Sequence, residues 1–314
     1  MESTVSPLGR GVEEVSERGM YGYARAEDGA HIAYEVVGEG PLALAWQFDF
    51  FGCLDLIWEG PYWRAWFEGL AGFSRLILHD RRGTGMSSRD VAIPNLETRV
   101  SDLVAVLDAV GIGDPVVLAG QFEAGAPNVV FAGAHPDRVR SLVWLGPMAR
   151  STWAPDYPWG ARPEYFEAER RSLEVWGTSE YGQRFIEDQA IGGLRLDSSL
   201  AGFVSKASRA TCAPDVARAL SDVWYQTDVR GALPAVRAPT LLIDSPAERE
   251  EAEYIASLMP DALVEESDPL PPGAAHLELV RAAGGTRGSP VEDDRRATPR
   301  HRSSSPPLMA RRGE

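Results

Sequence analysis

Lysine is almost missing from this 314-residue chain: Lys206 stands alone among 31 basic residues, the rest arginine. That bias reads as GC-rich codon usage, not as a physical device. Cysteine is nearly as scarce. Cys53 and Cys212 are too few for a disulfide framework, and no C-x-x-C or Cys/His cluster offers a metal site. Neither a metal nor a cofactor is therefore expected. No apolar run approaches ~18 residues, so no transmembrane helix is expected. The polar opening MESTVSPLGRGVEEVSERG also lacks the apolar core of a secretory signal. A net charge of −15 argues against a nucleic-acid surface. Internal repeats are missing too. These absences point to a soluble, cytoplasmic protein with no nucleic-acid or membrane partner. They leave the oligomeric state open.

What is present suffices for a large core: 44% of the residues are hydrophobic and 25% charged. The charge is uneven. Residues 281–314 hold eight Arg against four acids, leaving about −19 on the body. Residues 1–19 read as a flexible lead-in. Residues 20–147 alternate strands with helices, starting with a hairpin around Glu27-Asp28-Gly29-Ala30. Leu42–Trp46 is a continuous apolar run, suited to a strand covered on both faces, and Ser74–Asp80 reads as a buried strand. Trp63, Trp66, Phe67 and Leu70 fall at helical spacing. So do Val100, Leu103, Val104, Leu107 and Val110, in a helix closed by Gly111. The alternation stops over 148–235, which read as several helices, and resumes with Pro239–Asp244 and Ala262–Glu266 over 236–280. Residues 281–314, rich in Arg, Gly, Pro and Ser, are expected to be disordered.

The most informative stretch is Val116-Val117-Leu118-Ala119-Gly120-Gln121-Phe122-Glu123-Ala124-Gly125. A short apolar strand enters a turn flanked by Gly120 and Gly125, and Ala126–Ala132 then reads as helix. Such a turn lifts its apex residue above a sheet on strained backbone. In many hydrolytic enzymes that residue is the serine of G-x-S-x-G. Here the apex is Phe122, which carries no nucleophilic atom.

Further motifs surround this turn: IAYEVVGEGP after Asp28-Gly29, LILHDRRGTGMS at 76–87, SDLVAVLDAVGI at 101–112, FAGAHPDRVRSLV at 131–143, WAPDYPWG at 153–160 and DVRGALPAVRAPTLLI at 228–243. With them, residues 20–280 resemble the α/β-hydrolase domain that in bacteria often precedes class III adenylate/guanylate cyclases or helix-turn-helix regulators. The resemblance implies an α/β-hydrolase fold: a mostly parallel central sheet flanked by helices, with 148–235 as a helical cap. It also implies places for a nucleophile, an oxyanion loop, an orienting acid and a base. The nucleophile position matches Phe122. Phe48 and Asp49 match the oxyanion loop, where an acid opposes developing negative charge. Glu248 matches the orienting acid, in a segment about four residues shorter than the family's. His276, in PGAAHL, matches the base. A pocket formed by Phe48, Asp49, Phe122, Glu123 and Trp153 would take a small apolar ligand.

Each candidate also has a plainer reading. Glu123 suits the start of a helix by its charge. Glu248 is one acid of an exposed AEREE run. The aromatics around Trp46 to Trp58 serve as core, and Cys53 serves as a small packed hydrophobe. Asp80-Arg81-Arg82-Gly83 reads as a structural turn. Three functions follow: a non-catalytic binding or regulatory domain, an ester or small-molecule hydrolase using His276 with altered chemistry, or the remnant of a longer hydrolase–cyclase or hydrolase–regulator protein. The last rests on the expected absence of a closing helix after His276.

Overall fold

The structure, a computed structural model, describes residues 13–15, 18–48, 52–188, 199–267 and 273–285. Its strands are β1 (Glu13–Val15), β2 (Gly19–Arg25), β3 (His31–Val37), β4 (Leu42–Gln47), β5 (Ser74–His79), β6 (Val116–Gln121), β7 (Val139–Leu145), β8 (Thr240–Asp244) and β9 (Ala262–Glu266). They form one sheet in the order β1-β2-β3-β5-β4-β6-β7-β8-β9. The pairs β1/β2, β2/β3 and β3/β5 are antiparallel, and every pair from β5 to β9 is parallel. Chain order reverses at β4: β5 lies on one side of it and β6 on the other. Open α/β sheets bind ligands outside the carboxyl ends of strands at such a reversal.

The helices are α1 (Leu54–Ile57), α2 (Pro61–Ala71), α3 (Leu96–Val110), α4 (Gly125–Ala134), α5 (Pro163–Leu173), α6 (Ser179–Asp188), α7 (Ser199–Thr211), α8 (Pro214–Tyr225), α9 (Arg249–Ser257) and α10 (Ala274–Gly284). One sheet face is covered by α3, α4 and α9 through Leu103, Leu107, Val129, Phe131 and Ile255. The other is covered by α1, α2 and α10 through Leu54, Trp66, Phe67, Leu70 and Val280. This two-sided cover explains why β6 is buried at all six residues and opens with the apolar run Val116–Ala119.

Local signals set the element ends. Asn95 Oδ1 accepts the Thr98 N–H at 2.8 Å and caps α3. Gly111, at φ 73°, ends it in the left-handed conformation. The aromatic stretch is core. Phe67 is fully buried, with the rings of Trp46, Phe48, Trp58 and Trp63 5.7 to 6.0 Å from its own.

Helices α5 to α8 are inserted between β7 and β8. They share a small core of Leu173, Trp176, Tyr181, Val204, Cys212, Ala217 and Leu220. Helix α7 meets the start of α1 through Ala207, Cys53 and Leu56.

Two expectations need correction. Strand β1 lies inside the lead-in expected at 1–19, pairing Glu13 with Gly22 and Val15 with Met20. A closing helix is also present. Helix α10 runs four residues past the expected boundary at 280, with Leu277 on Gly69 of α2, Val280 fully buried, and Gly284 on Leu42. Its contact face is built from small or widely spaced residues, so its periodicity is faint in the sequence. Residues 286–314 of the expected tail, and Asp49, lie outside the described residues.

Candidate functional site

Strand β6 ends at Gln121, and the chain turns through Phe122–Ala124 into α4. Phe122 has φ 48° and is the sole non-glycine residue at positive φ among the described residues. That conformation costs a bulky side chain on the order of 1–3 kcal/mol, so its surroundings must impose it. Two contacts do so. A Cβ on Gly125 would overlap the Trp144 indole, and that indole N–H donates to the Phe122 carbonyl at 2.7 Å. A Cβ on Gly120 would press on Ala124 O at 3.2 Å. The glycine frame thus serves the backbone whichever residue stands at the apex. Trp144 went unnoticed in the sequence because its role depends on β7 lying beside β6.

Glu123 points away from nucleophilic duty. It is buried between two arginines, 2.6 Å from Arg99 Nη1 and 3.1 Å from Arg81 Nη1. Burial alone would raise its pKa, but the two guanidiniums outweigh burial and hold the carboxyl below its ordinary range. Nearby His79 is pushed down to about 4 by burial, with Arg99 adding to the effect.

The turn after β5 is structural, as its sequence suggested. Asp80 accepts the N–H groups of Leu54 at 3.1 Å and Met86 at 2.8 Å, and burial pushes it up to about 7. Arg82 bonds Asp102 and Asp28, each at 2.5 Å. Ser87 Oγ donates to Asp80 O at 2.7 Å. Burial raises the Cys53 thiol and pushes Cys212 up to about 11, so neither is poised as a thiolate.

The remaining candidates are dispersed. Phe48 directly follows β4 and lies inside the aromatic core. Trp153 is 38% exposed, with Arg162 5.2 Å over its ring. Glu248 caps α9 and accepts a bond from Ser245 Oγ at 3.5 Å. The acid that sequence reasoning missed is Asp244, the buried last residue of β8, whose Oδ1 accepts the Ser245 N–H at 2.9 Å and which burial pushes up to about 8. The spacing of Asp244, Glu248 and Glu251 held a signal for it.

His276 occupies the third position of α10 rather than a loop. It is buried, with Trp66 edge-on at 6.5 Å. Its Nδ1 accepts the Gly273 N–H at 3.2 Å, which leaves the ring proton of the neutral form on Nε2. A Ser-His-acid base needs the opposite arrangement, Nδ1–H to the acid and a free Nε2 lone pair toward the nucleophile.

Among the described residues, no group of three or more His, Cys, Asp or Glu could hold a metal ion, and no helix is long and apolar enough to cross a membrane. The architecture recurs in solved proteins. A bromoperoxidase from Bacillus anthracis superposes with a TM-score of 0.67 at 20% identity, covering 84% of this chain and 96% of that one. The enol-lactonase from Burkholderia xenovorans LB400 gives 0.66 at 18% identity, over 83% and 98%.

The chain has the α/β-hydrolase fold.

No family model matches it. Among curated proteins it is 29% identical over 263 residues to a putative carbamate hydrolase, RutD, of Azorhizobium caulinodans, spanning 78% of this chain and 89% of that protein. It is 30% identical over 167 residues to a 2-hydroxymuconate semialdehyde hydrolase of Pseudomonas sp. strain CF600, about half of each chain. Within this α/β-hydrolase fold, the apex residue stands at the carboxyl end of β6, beside β4 and the reversal of strand order. The sheet thus presents Phe122 where the fold places ligands.

Proposed function

We propose that this chain is a non-catalytic α/β-hydrolase-fold protein, a ligand-binding or regulatory domain whose apex offers a small apolar ligand a phenyl face. One observation carries the reading: the strained elbow is intact and holds phenylalanine at its apex. Two others support it. Glu123 is committed to Arg81 and Arg99, and His276 Nδ1 is an acceptor. Loss of the nucleophile alone costs serine enzymes about 10⁶ in rate. The finer resemblance to domains preceding cyclases and regulators, carried by WAPDYPWG and DVRGALPAVRAPTLLI, favours a regulatory role.

Turnover of short p-nitrophenyl esters tests this. The native chain should match a heat-inactivated control, and Phe122→Ser alone should stay near that baseline, because the histidine and acid are not set for a serine. A second reading, an esterase-like hydrolase that activates water at His276, is favoured by the hydrolase names of the curated relatives. Native turnover abolished by His276→Ala would establish that reading and overturn the first.

A further inference from the structure

The sheet ends in two different edge strands. At three residues, β1 offers little backbone to another chain. The other edge is β9, Ala262-Leu263-Val264-Glu265-Glu266, and among the described residues only β8 pairs with it. Thr240 N–H donates to Asp261 O at 2.8 Å, and Ser267 N–H donates to Asp244 O at 2.8 Å. The backbone groups of residues 261 and 267 therefore face β8. Strand alternation turns those of Ala262, Val264 and Glu266 to the open side.

Side chains give this edge a direction. Leu263 is 57% exposed, the most exposed large hydrophobic among the described residues. Glu265 and Glu266 are exposed as well. Arg249 pairs with Glu266, whereas Glu265 makes no ion pair among the described residues. The edge is thus apolar where the strand begins and acidic where it ends. A second copy's β9 would bring another acidic strand against it, which like charges oppose. Every strand from β5 to β9 runs parallel to its neighbours. A further parallel strand would complement β9 if it were apolar first and basic last.

The chain carries such a segment beyond α10: Leu308-Met309-Ala310-Arg311-Arg312. No other run of three apolar residues occurs after Gly285. Pro306 and Pro307 precede it, and proline, which donates nothing to a ladder, suits the entry to a strand. The chain also reaches that far. Helix α10 ends with Gly284 on Leu42, at the pole where the parallel strands start, and Ala262 starts β9 at the same pole. From β4 to a position beyond β9 is five strand spacings, roughly 24 Å. The 22 residues of 286–307 can extend to about 70 Å.

We propose that the open edge of β9 is a docking site for the chain's own residues 308–312, which add to the sheet as a tenth, parallel strand. Main-chain bonds to Val264 and Glu266 supply the attachment, and side chains set the register. Met309 lies beside Leu263 and Arg311 beside Glu265 on one face. Leu308, Ala310 and Arg312 lie beside Ala262, Val264 and Glu266 on the other. The added strand covers Leu263 and closes an edge otherwise open to foreign strands.

Hydrogen exchange of the Val264 amide in the full-length protein, referenced to the amides of β8, tests the docking. Met309→Asp should speed that exchange about tenfold or more, and Arg311→Glu about fivefold. Adding Glu265→Arg to Arg311→Glu exchanges the two charges and should return the rate to within about twofold of native. Glu265 is exposed, so its replacement leaves the core intact. Equal exchange in the native protein and in Met309→Asp would overturn the proposal, as would a charge exchange that restores nothing. Protection that grows as the protein is concentrated from about 1 to about 100 μM would also overturn it, by showing that a second copy fills the edge.

Discussion

The carboxyl ends of β6 and β8 make an instructive contrast. At β6 the chain makes a tightly braced turn: a glycine frame, a strained apex and a tryptophan bracing it. The side chain there has no chemistry to offer. At β8 the backbone is ordinary, while burial pushes Asp244 and Glu251 up to about 8. Backbone form at β6 is enforced by packing that does not depend on the apex residue. Reactive chemistry has no such protection.

The largest expected effect comes from removing the charge that anchors the elbow. Glu123→Ala leaves Arg81 and Arg99 buried without their shared partner and should cost about 3–5 kcal/mol in urea unfolding. A loss under about 1 kcal/mol would mean the arginines find other partners. Because the Glu123 pKa is lowered on folding, its contribution is present above the unfolded carboxylate value and fades as pH falls through the folded one.

The β8 end should behave in the opposite sense. Asp244 and Glu251 are raised on folding, so stability should fall as pH rises from about 4 to about 8, by up to about 1 kcal/mol per pH unit for each group. Asp244→Asn should remove about half of that slope across the same window. An unchanged slope would show that the proton is held elsewhere.

The smallest effect is at the brace. Trp144→Phe forfeits the bond to the Phe122 carbonyl and should cost about 1 kcal/mol, with the fold retained by far-ultraviolet circular dichroism.

Much of this contrast could be read from the chain itself. The apolar run VVLAG, the flanking glycines and the spacing of Val100, Leu103 and Leu107 announce their elements, because each rests on local periodicity or a local steric need. The fold class follows from the alternation of such runs. Trp144 and the Arg81–Glu123–Arg99 bridge were not legible. Each depends on segments that meet only once the sheet is assembled. Strand β1 was hidden by its polar, three-residue length, and α10 by an interface built on Gly69 and Gly284.

Helix α10 has one more consequence. It ends with Gly284 packed on Leu42, the first residue of β4, whereas the elbow lies beyond the opposite end of the neighbouring β6. The polypeptide therefore leaves its closing helix at the pole of the domain remote from Phe122. A fusion, tether or surface attachment at that end would orient the apex outward and keep its approach clear.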